Sequence, residues 1–175
     1  MLVLYIVLAL VVVILILAVL APKNYDVSRS IEINRSKSEV FEYLKFLKNQ
    51  DEWSPWSKRD PNMVKDFSGT DGEVGAINRW KGNKEVGEGE QEITHIEEGS
   101  RIDSELRFLK PFKSTSDAYI TTKEVDKDMT KVVWGFSGEN KFPMSIMMLF
   151  MNMDKAIGKD FEEGLNSLKQ ILENQ

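Results

Sequence analysis

Among the side chains that could do chemistry, His95 comes first, because histidine is the residue best suited to general acid–base catalysis near neutral pH. It is the single histidine of this 175-residue chain. His95 lies in a predicted strand, within Ile-Thr-His-Ile, where the alternation of apolar and polar residues slips. The sequence therefore leaves two interpretations open, a solvent-facing strand histidine and a general base that faces the interior.

Arg79 and Glu90 are the other polar candidates. Arg79 precedes Trp80 in a predicted strand, so one of the two must face the interior. An inward Trp80 would be an ordinary lining residue, whereas an inward Arg79 would need an anionic partner or ligand. Glu90 shares a strand face with Glu92, which permits either paired carboxylates or a solvated edge.

Composition excludes several classes of function. The chain has no cysteine, so disulfides and thiol catalysis are ruled out. It shows neither His/Cys spacing for zinc nor the order of a calcium loop, and we predict no metal and no cofactor. A net charge of −5 without a basic block argues against nucleic acid as a partner.

Residues 1–21 form an uncharged run rich in valine, leucine and isoleucine. As a helix this run would span about 30 Å, the thickness of a hydrocarbon core. A signal peptide is the alternative, but no basic residue precedes the run and Pro22 follows the one small-residue cleavage site. We predict a single-pass anchor over residues 1–21 and a folded domain over residues 22–175. Lysines and arginines after the span favour a cytoplasmic domain.

The first part of the domain reads as a strand over residues 25–34 and a helix that begins near Ser36 or Ser38. Two tryptophans follow in a predicted proline-broken loop, Trp53 and Trp56. They could close one end of the core, or they could form a gate to a ligand site.

A short strand is predicted over residues 64–67, and alternating sequence from residue 75 to residue 138 predicts further antiparallel strands, with Asp103, Glu105 and Arg107 on the solvated face. The inward residues of these strands, together with Trp80, would line one concave surface. They are Ile102, Leu106, Phe108, Ile120, Trp134 and Phe136.

Residues 143–173 have the apolar periodicity of one long helix, which we expect to lie in that concave surface. Ile157, Phe161 and Gly164 would face the sheet, with Gly164 leaving space for a ligand. The start of this helix is crowded with methionines, among them Met147, Met148 and Met151. One helix face cannot bury all of them. Either the rim of the sheet covers them, or they form a lid that contacts a ligand or the bilayer.

This order of elements resembles the helix-grip, START-like fold, and more narrowly the polyketide cyclase/dehydrase-like proteins of the SRPBCC superfamily. The resemblance spans residues 24–174. Its motifs are residues 28–34 (Ser-Arg-Ser-Ile-Glu-Ile-Asn), 38–41 (Ser-Glu-Val-Phe), 53–56 (Trp-Ser-Pro-Trp), Gly75 with Trp80, 87–89 (Gly-Glu-Gly) and 130–138 (Thr-Lys-Val-Val-Trp-Gly-Phe-Ser-Gly).

The resemblance implies an α+β fold in which a curved antiparallel sheet of six or seven strands grips the C-terminal helix. It also implies a cavity for a lipid, sterol, polyketide or other apolar molecule. Some relatives are cyclases or aromatases, some carry lipids and some bind chaperones, and no motif of the superfamily marks catalysis.

We therefore expect a membrane-tethered domain that binds a hydrophobic molecule without catalysis. A cyclase-like enzyme is the first alternative, and two inward polar groups within hydrogen-bond reach would favour it. A protein-interaction module is the second alternative, with an unidentified protein partner.

Overall fold

The computed structural model describes residues 1–140, 142–149 and 152–175, without side-chain geometry for Met144 and Met147. Its elements follow in chain order: α1 (Leu2–Leu20), β1 (Asn24–Ile33), α2 (Lys37–Leu44), α3 (Leu47–Trp53), α4 (Pro55–Arg59), β2 (Val64–Ser68), β3 (Ile77–Lys81), β4 (Glu88–Glu97), β5 (Arg101–Lys110), β6 (Ser114–Asp126), β7 (Met129–Glu139), α5 (Met144–Met147) and α6 (Met153–Glu173).

The seven strands form one antiparallel sheet in the order β1-β7-β6-β5-β4-β3-β2. Sequential strands β2 to β7 are neighbours, and β1 pairs with β7 at the far edge, from Asn24 opposite Glu139 to Ile33 opposite Thr130. Alternation of apolar and polar residues within each strand gives the sheet one inner and one solvated face. The helix-grip prediction, with a sheet of six or seven strands and a C-terminal helix, is confirmed.

The C-terminal segment differs from the single helix expected over residues 143–173. It contains two helices, because Asn152 adopts an extended conformation and its side chain accepts a hydrogen bond from the Lys155 amide at 2.9 Å, which starts α6 afresh. The buried face of α6 is also wider than a narrow stripe. It includes Leu165 and Leu172, whereas Ile171 is only partly buried.

The segment around the two tryptophans is helical as well, where a loop was expected. Trp53 ends α3, and Pro55 is the first residue of α4. Proline is well tolerated in the first turn of a helix, where its missing amide hydrogen would have no partner. The proline therefore begins a helix here, and Trp53 is carried into the core.

An aromatic cluster holds α6 to the sheet. The ring of Phe161 stacks on Trp134 of β7 at a centroid distance of 4.2 Å. Trp53 and Trp56 meet the ring of Trp134 edge-on at 4.7 and 5.6 Å, and Trp56 also meets Phe161 at 6.2 Å. Such edge-to-face and stacked pairs contribute roughly 0.5–1.5 kcal/mol each beyond the burial of their surface.

Gly164 brings α6 close to this cluster. A Cβ atom at this position would lie 2.8 Å from Cζ3 of Trp134 and 3.2 Å from Cδ of Pro55. The space that we expected beside Gly164 is therefore occupied by the rings of the core. The glycine permits a close approach of helix and sheet at this point.

Arg29 of β1 makes a second connection to α6, on the surface. Its guanidinium donates hydrogen bonds to the carboxylate of Asp154 at 2.8 Å and to that of Glu162 at 2.7 Å. The hydrogen bond from Arg29 lowers the pKa of Asp154 below its ordinary value. The first turns of α6 are thus fixed to the strand that follows α1.

The close approach at Gly164 gives a direct test of the packing. In a helix interior alanine is about 1 kcal/mol more favourable than glycine, but overpacking a core costs about 1–3 kcal/mol. Because the Trp134 ring is already stacked on Phe161, we expect Gly164→Ala to lower the free energy of unfolding by about 1 kcal/mol. Denaturant titration followed by near-ultraviolet circular dichroism of the full chain in micelles measures the change.

Asn166→Ala is the matched control, because Asn166 lies on the exposed face of the same helix. This substitution should leave the stability equal or slightly raised, since alanine is the better helix former. A Gly164→Ala protein as stable as the Asn166→Ala protein would contradict the close packing.

Candidate functional site

A row of aromatic rings crosses the inner face of the sheet. Tyr25 of β1 lies 5.2 Å from Phe136 of β7, Phe136 lies 6.3 Å from Phe108 of β5, and Phe108 lies 6.0 Å from Trp80 of β3, all between ring centroids. Trp80 fits because its neighbour Gly89 has no side chain, and a Cβ there would lie 2.6 Å from Cζ2 of the indole. The row runs beside the aromatic cluster that holds α6.

The residues predicted to line the inner surface fall into two groups. Buried within the core are Ile102, Ile120, Trp134, Phe136, Phe161 and Gly164. Only partly buried are Trp80, Leu106, Phe108 and Ile157. The accessible part of the inner face therefore lies toward β3, β4 and β5, away from the helix side that the aromatic cluster fills.

An open depression of about 430 Å³ lies where β1 and α6 begin. Its walls are formed by Pro22, Asn24, Tyr25, Asn140, Met148, Leu149, Asn152 and Met153. The volume falls within the range of small-molecule sites, roughly 300–1,000 Å³. Tyr25 belongs both to this depression and to the aromatic row, whereas none of the residues predicted to line the inner surface is among the walls of the depression.

Two pairs of polar side chains lie on the inner face. The Tyr25 hydroxyl and the Ser116 hydroxyl are 2.6 Å apart, and either can donate. The Gln91 amide donates to the Ser104 hydroxyl at 3.3 Å. Both serines are buried. Burial raises the pKa of the Tyr25 phenol above its ordinary value, so the phenol remains protonated at neutral pH and can donate a hydrogen bond.

These pairs were not among the predicted polar residues, although Ser104 lies in β5 midway between Ile102 and Leu106, which were predicted to face inward. The alternation of buried and exposed residues also places Tyr25 and Ser116 on the inner face. Tyr25 precedes the buried Val27 by two residues, and Ser116 precedes the buried Ala118 by two. Alternation within a strand does not predict that Tyr25 and Ser116 form a hydrogen bond, because they are 91 residues apart in the chain.

The predicted polar candidates lie on the solvated face instead. Arg79 donates to Glu90 at 3.0 Å, and Arg107 donates to the same carboxylate at 2.6 Å. The bond from Arg107 is the main cause of a lowered pKa at Glu90. His95 is exposed on its strand. The structure therefore does not bring Arg79, Glu90 or His95 to the inner face.

The residues considered as a gate have different environments. Trp53 is 1% exposed, and its indole Nε1 has no hydrogen-bond partner among the described residues. Trp56 is partly buried against Trp134 and Phe161. Met148 lines the depression. Met151 and the side chain of Met147 lie outside the described residues.

Solved structures of other proteins share this fold. A protein from Nitrosospira multiformis is 17% identical, with a TM-score of 0.60 over 83% of this chain and 94% of its own. The Mll3558 protein from Rhizobium loti is 16% identical, with a TM-score of 0.61 over 84% and 96%. The Aha1 dimer from Colwellia psychrerythraea is 15% identical, with a TM-score of 0.58 over 85% and 96%.

Sequence comparison gives a more specific result than these distant structural relatives. No curated protein matches the sequence. The family model described as "Polyketide cyclase / dehydrase and lipid transport" matches residues 25–173, from the second residue of β1 to the end of α6. On this match, the chain belongs to the polyketide cyclase/dehydrase and lipid transport family of the SRPBCC type.

Proposed function

We propose that residues 22–175 form a membrane-tethered domain that holds a hydrophobic small molecule or lipid without catalysis. The observation that carries this proposal is the open depression at the start of α6, one wall of which, Tyr25, is also the first ring of the aromatic row. A ligand would enter beside Met148 and Met153 and lie against the partly buried residues of β3 and β5. Family membership supports the ligand class.

The chemistry of the walls suits an apolar ligand with one polar end. The ring of Phe108, which is only partly buried, offers apolar surface to a chain or ring system. Methionine side chains are flexible and polarisable, and they adapt to ligands of different shape. The Tyr25 and Ser116 hydroxyls can bind one polar group, which would orient the ligand in the site.

The tether follows from α1. Its 19 residues are apolar throughout and none is buried, so its length and composition are those of a helix that can cross a membrane once. Three residues connect its end, Leu20, to the first residue of β1, Asn24. Pro22 and Asn24 also line the depression, so the opening lies next to the anchor, where a ligand could enter from the bilayer. Lys23, Arg29, Arg35 and Lys37, which follow the span, favour a cytoplasmic domain.

Asn24→Trp should block the opening, because Asn24 is exposed at the start of β1 and lines the depression. Native mass spectrometry of the full chain, purified from its own membrane, measures the fraction that carries a co-purifying organic molecule. We expect a bound apolar molecule in the unmodified protein and a several-fold lower occupancy in Asn24→Trp.

Ser28→Trp provides the control, because Ser28 is an exposed residue of the same strand that does not line the depression. Its occupancy should equal that of the unmodified protein. An unmodified protein without any bound molecule, or equal occupancy in both tryptophan variants, would contradict the proposed entry.

A cyclase-like or dehydratase-like activity is the second candidate, and the Tyr25–Ser116 pair favours it. A protonated, partly buried phenol can donate a hydrogen bond to a carbonyl oxygen and so stabilise the negative charge that develops there in an aldol-type ring closure. The pair meets the requirement for two inward polar groups within hydrogen-bond reach.

Tyr25→Phe separates the two candidates, because it removes the hydroxyl but keeps the ring. In a carrier, the co-purified molecule should have the same mass in the variant as in the unmodified protein, at a lower occupancy. In an enzyme that closes a ring by aldol addition and then eliminates water, or that only eliminates water, the variant should retain an unreacted molecule that is heavier by the elements of that water. A mass difference of that kind would overturn the non-catalytic proposal.

A further inference from the structure

Several large apolar side chains are exposed at one end of the sheet. Leu109 is the second-last residue of β5 and is 42% exposed, and Phe112, two residues after β5, is 63% exposed. Phe142, three residues after β7, is 64% exposed. Single exposed apolar residues are common on soluble proteins. These three belong to chain segments that meet at the same end of the sheet, which makes them a surface feature rather than isolated cases.

Strand register defines this end. Asn24 at the start of β1 pairs with Glu139 at the end of β7, and Phe108 near the end of β5 pairs with Ser114 at the start of β6. Adjacent strands are about 4.8 Å apart. The β5–β6 hairpin, which is two to three strands away from β1 in the sheet, therefore lies about 10–15 Å from the start of β1.

The anchor ends at the same place. Consecutive Cα atoms are 3.8 Å apart, so the chain from Leu20 to Asn24 can span about 15 Å at most. With α1 in a bilayer, the start of β1 cannot be further than this from the end of the membrane-spanning helix. The β5–β6 hairpin is then within reach of the headgroup region of the same bilayer.

The charge at this end of the sheet differs from that of the chain as a whole. Although the whole chain carries a net charge of −5, the strand ends, loops and hairpins at this end are nearly balanced, with five lysines and four acidic residues, and Lys110 is paired with Glu88 at 2.7 Å. The lysines are Lys23, Lys81, Lys84, Lys110 and Lys113, and the acidic residues are Asp60, Glu85, Glu88 and Glu139. Exposed phenylalanine beside lysine is the composition of segments that lie in the interface of anionic membranes.

We propose that the β5–β6 hairpin, through Leu109 and Phe112, and Phe142 beside it, insert into the interface of the bilayer that α1 spans. The lysines of the same end bind anionic lipid headgroups. This surface orients the domain so that the depression at Asn24 and Tyr25 faces the membrane. The inference rests on the tether proposed above, but it does not require a bound ligand.

The absence of cysteine allows a single label to be introduced at each position of the full chain. A nitroxide at Phe112→Cys reports insertion, and one at Val11→Cys in α1 reports the anchor. Val125→Cys, near the end of β6 at the opposite end of the sheet, is the matched control, because Val125 is an apolar residue that is 50% exposed. Power saturation in nanodiscs of phosphatidylcholine, with and without phosphatidylglycerol, compares accessibility to oxygen and to a water-soluble nickel chelate.

We expect the ratio of oxygen to nickel accessibility at residue 112 to exceed that at residue 125 several-fold, and to rise further with phosphatidylglycerol. Equal ratios at residues 112 and 125, with residue 11 in the hydrocarbon, would overturn the hairpin proposal and leave the tether intact. Spin–spin broadening at residue 112, with protection from both reagents, would overturn it in favour of a second copy of the chain. Nickel accessibility at residue 11 would overturn both the hairpin proposal and the tether.

Discussion

Stacking of Phe161 on Trp134, with Gly164 one helical turn further on, determines how closely α6 approaches the sheet. Because the glycine lets the helix backbone reach the indole ring, aromatic side chains fill the space between this part of α6 and the sheet. The remaining space lies toward the start of α6 and toward β3 to β5, where Leu106, Phe108 and Trp80 are only partly buried. The close packing of α6 on the sheet at Trp134 therefore determines where the candidate site can lie.

The same arrangement brings the depression next to α1. Three residues separate β1 from α1, and β1 carries Tyr25 at the opening and Arg29 on the surface. Through its bonds to Asp154 and Glu162, Arg29 fixes the first turns of α6 beside that opening. One strand of ten residues therefore connects α1, the depression and α6, and a change in the position of β1 would alter all three. This connection suits the exchange of ligand with the bilayer that we propose.

The sheet could be predicted from the sequence because alternation is local. Residues such as Ile102, Ile120 and Trp134 have their facing decided by their immediate neighbours. The C-terminal region was harder to predict. A helical wheel describes only one helix, so it could not show that Asn152 would start a new helix or that Trp134 would occupy the space beside Gly164. The candidate site depends on contacts of this second kind, since Tyr25 and Ser116 meet only through the pairing of β1 with β7 and β7 with β6.

Photo-crosslinking of the full chain in vesicles that contain a diazirine-bearing phospholipid tests the central claim most directly. If the domain takes up an apolar molecule from the bilayer, peptide mapping should find adducts on residues of the depression and of the aromatic row, such as Met148, Tyr25 and Phe108, in addition to adducts on α1. Competition by excess unlabelled phospholipid vesicles should reduce the adducts in both regions. Adducts confined to α1, with none on the inner face of the sheet, would contradict the account.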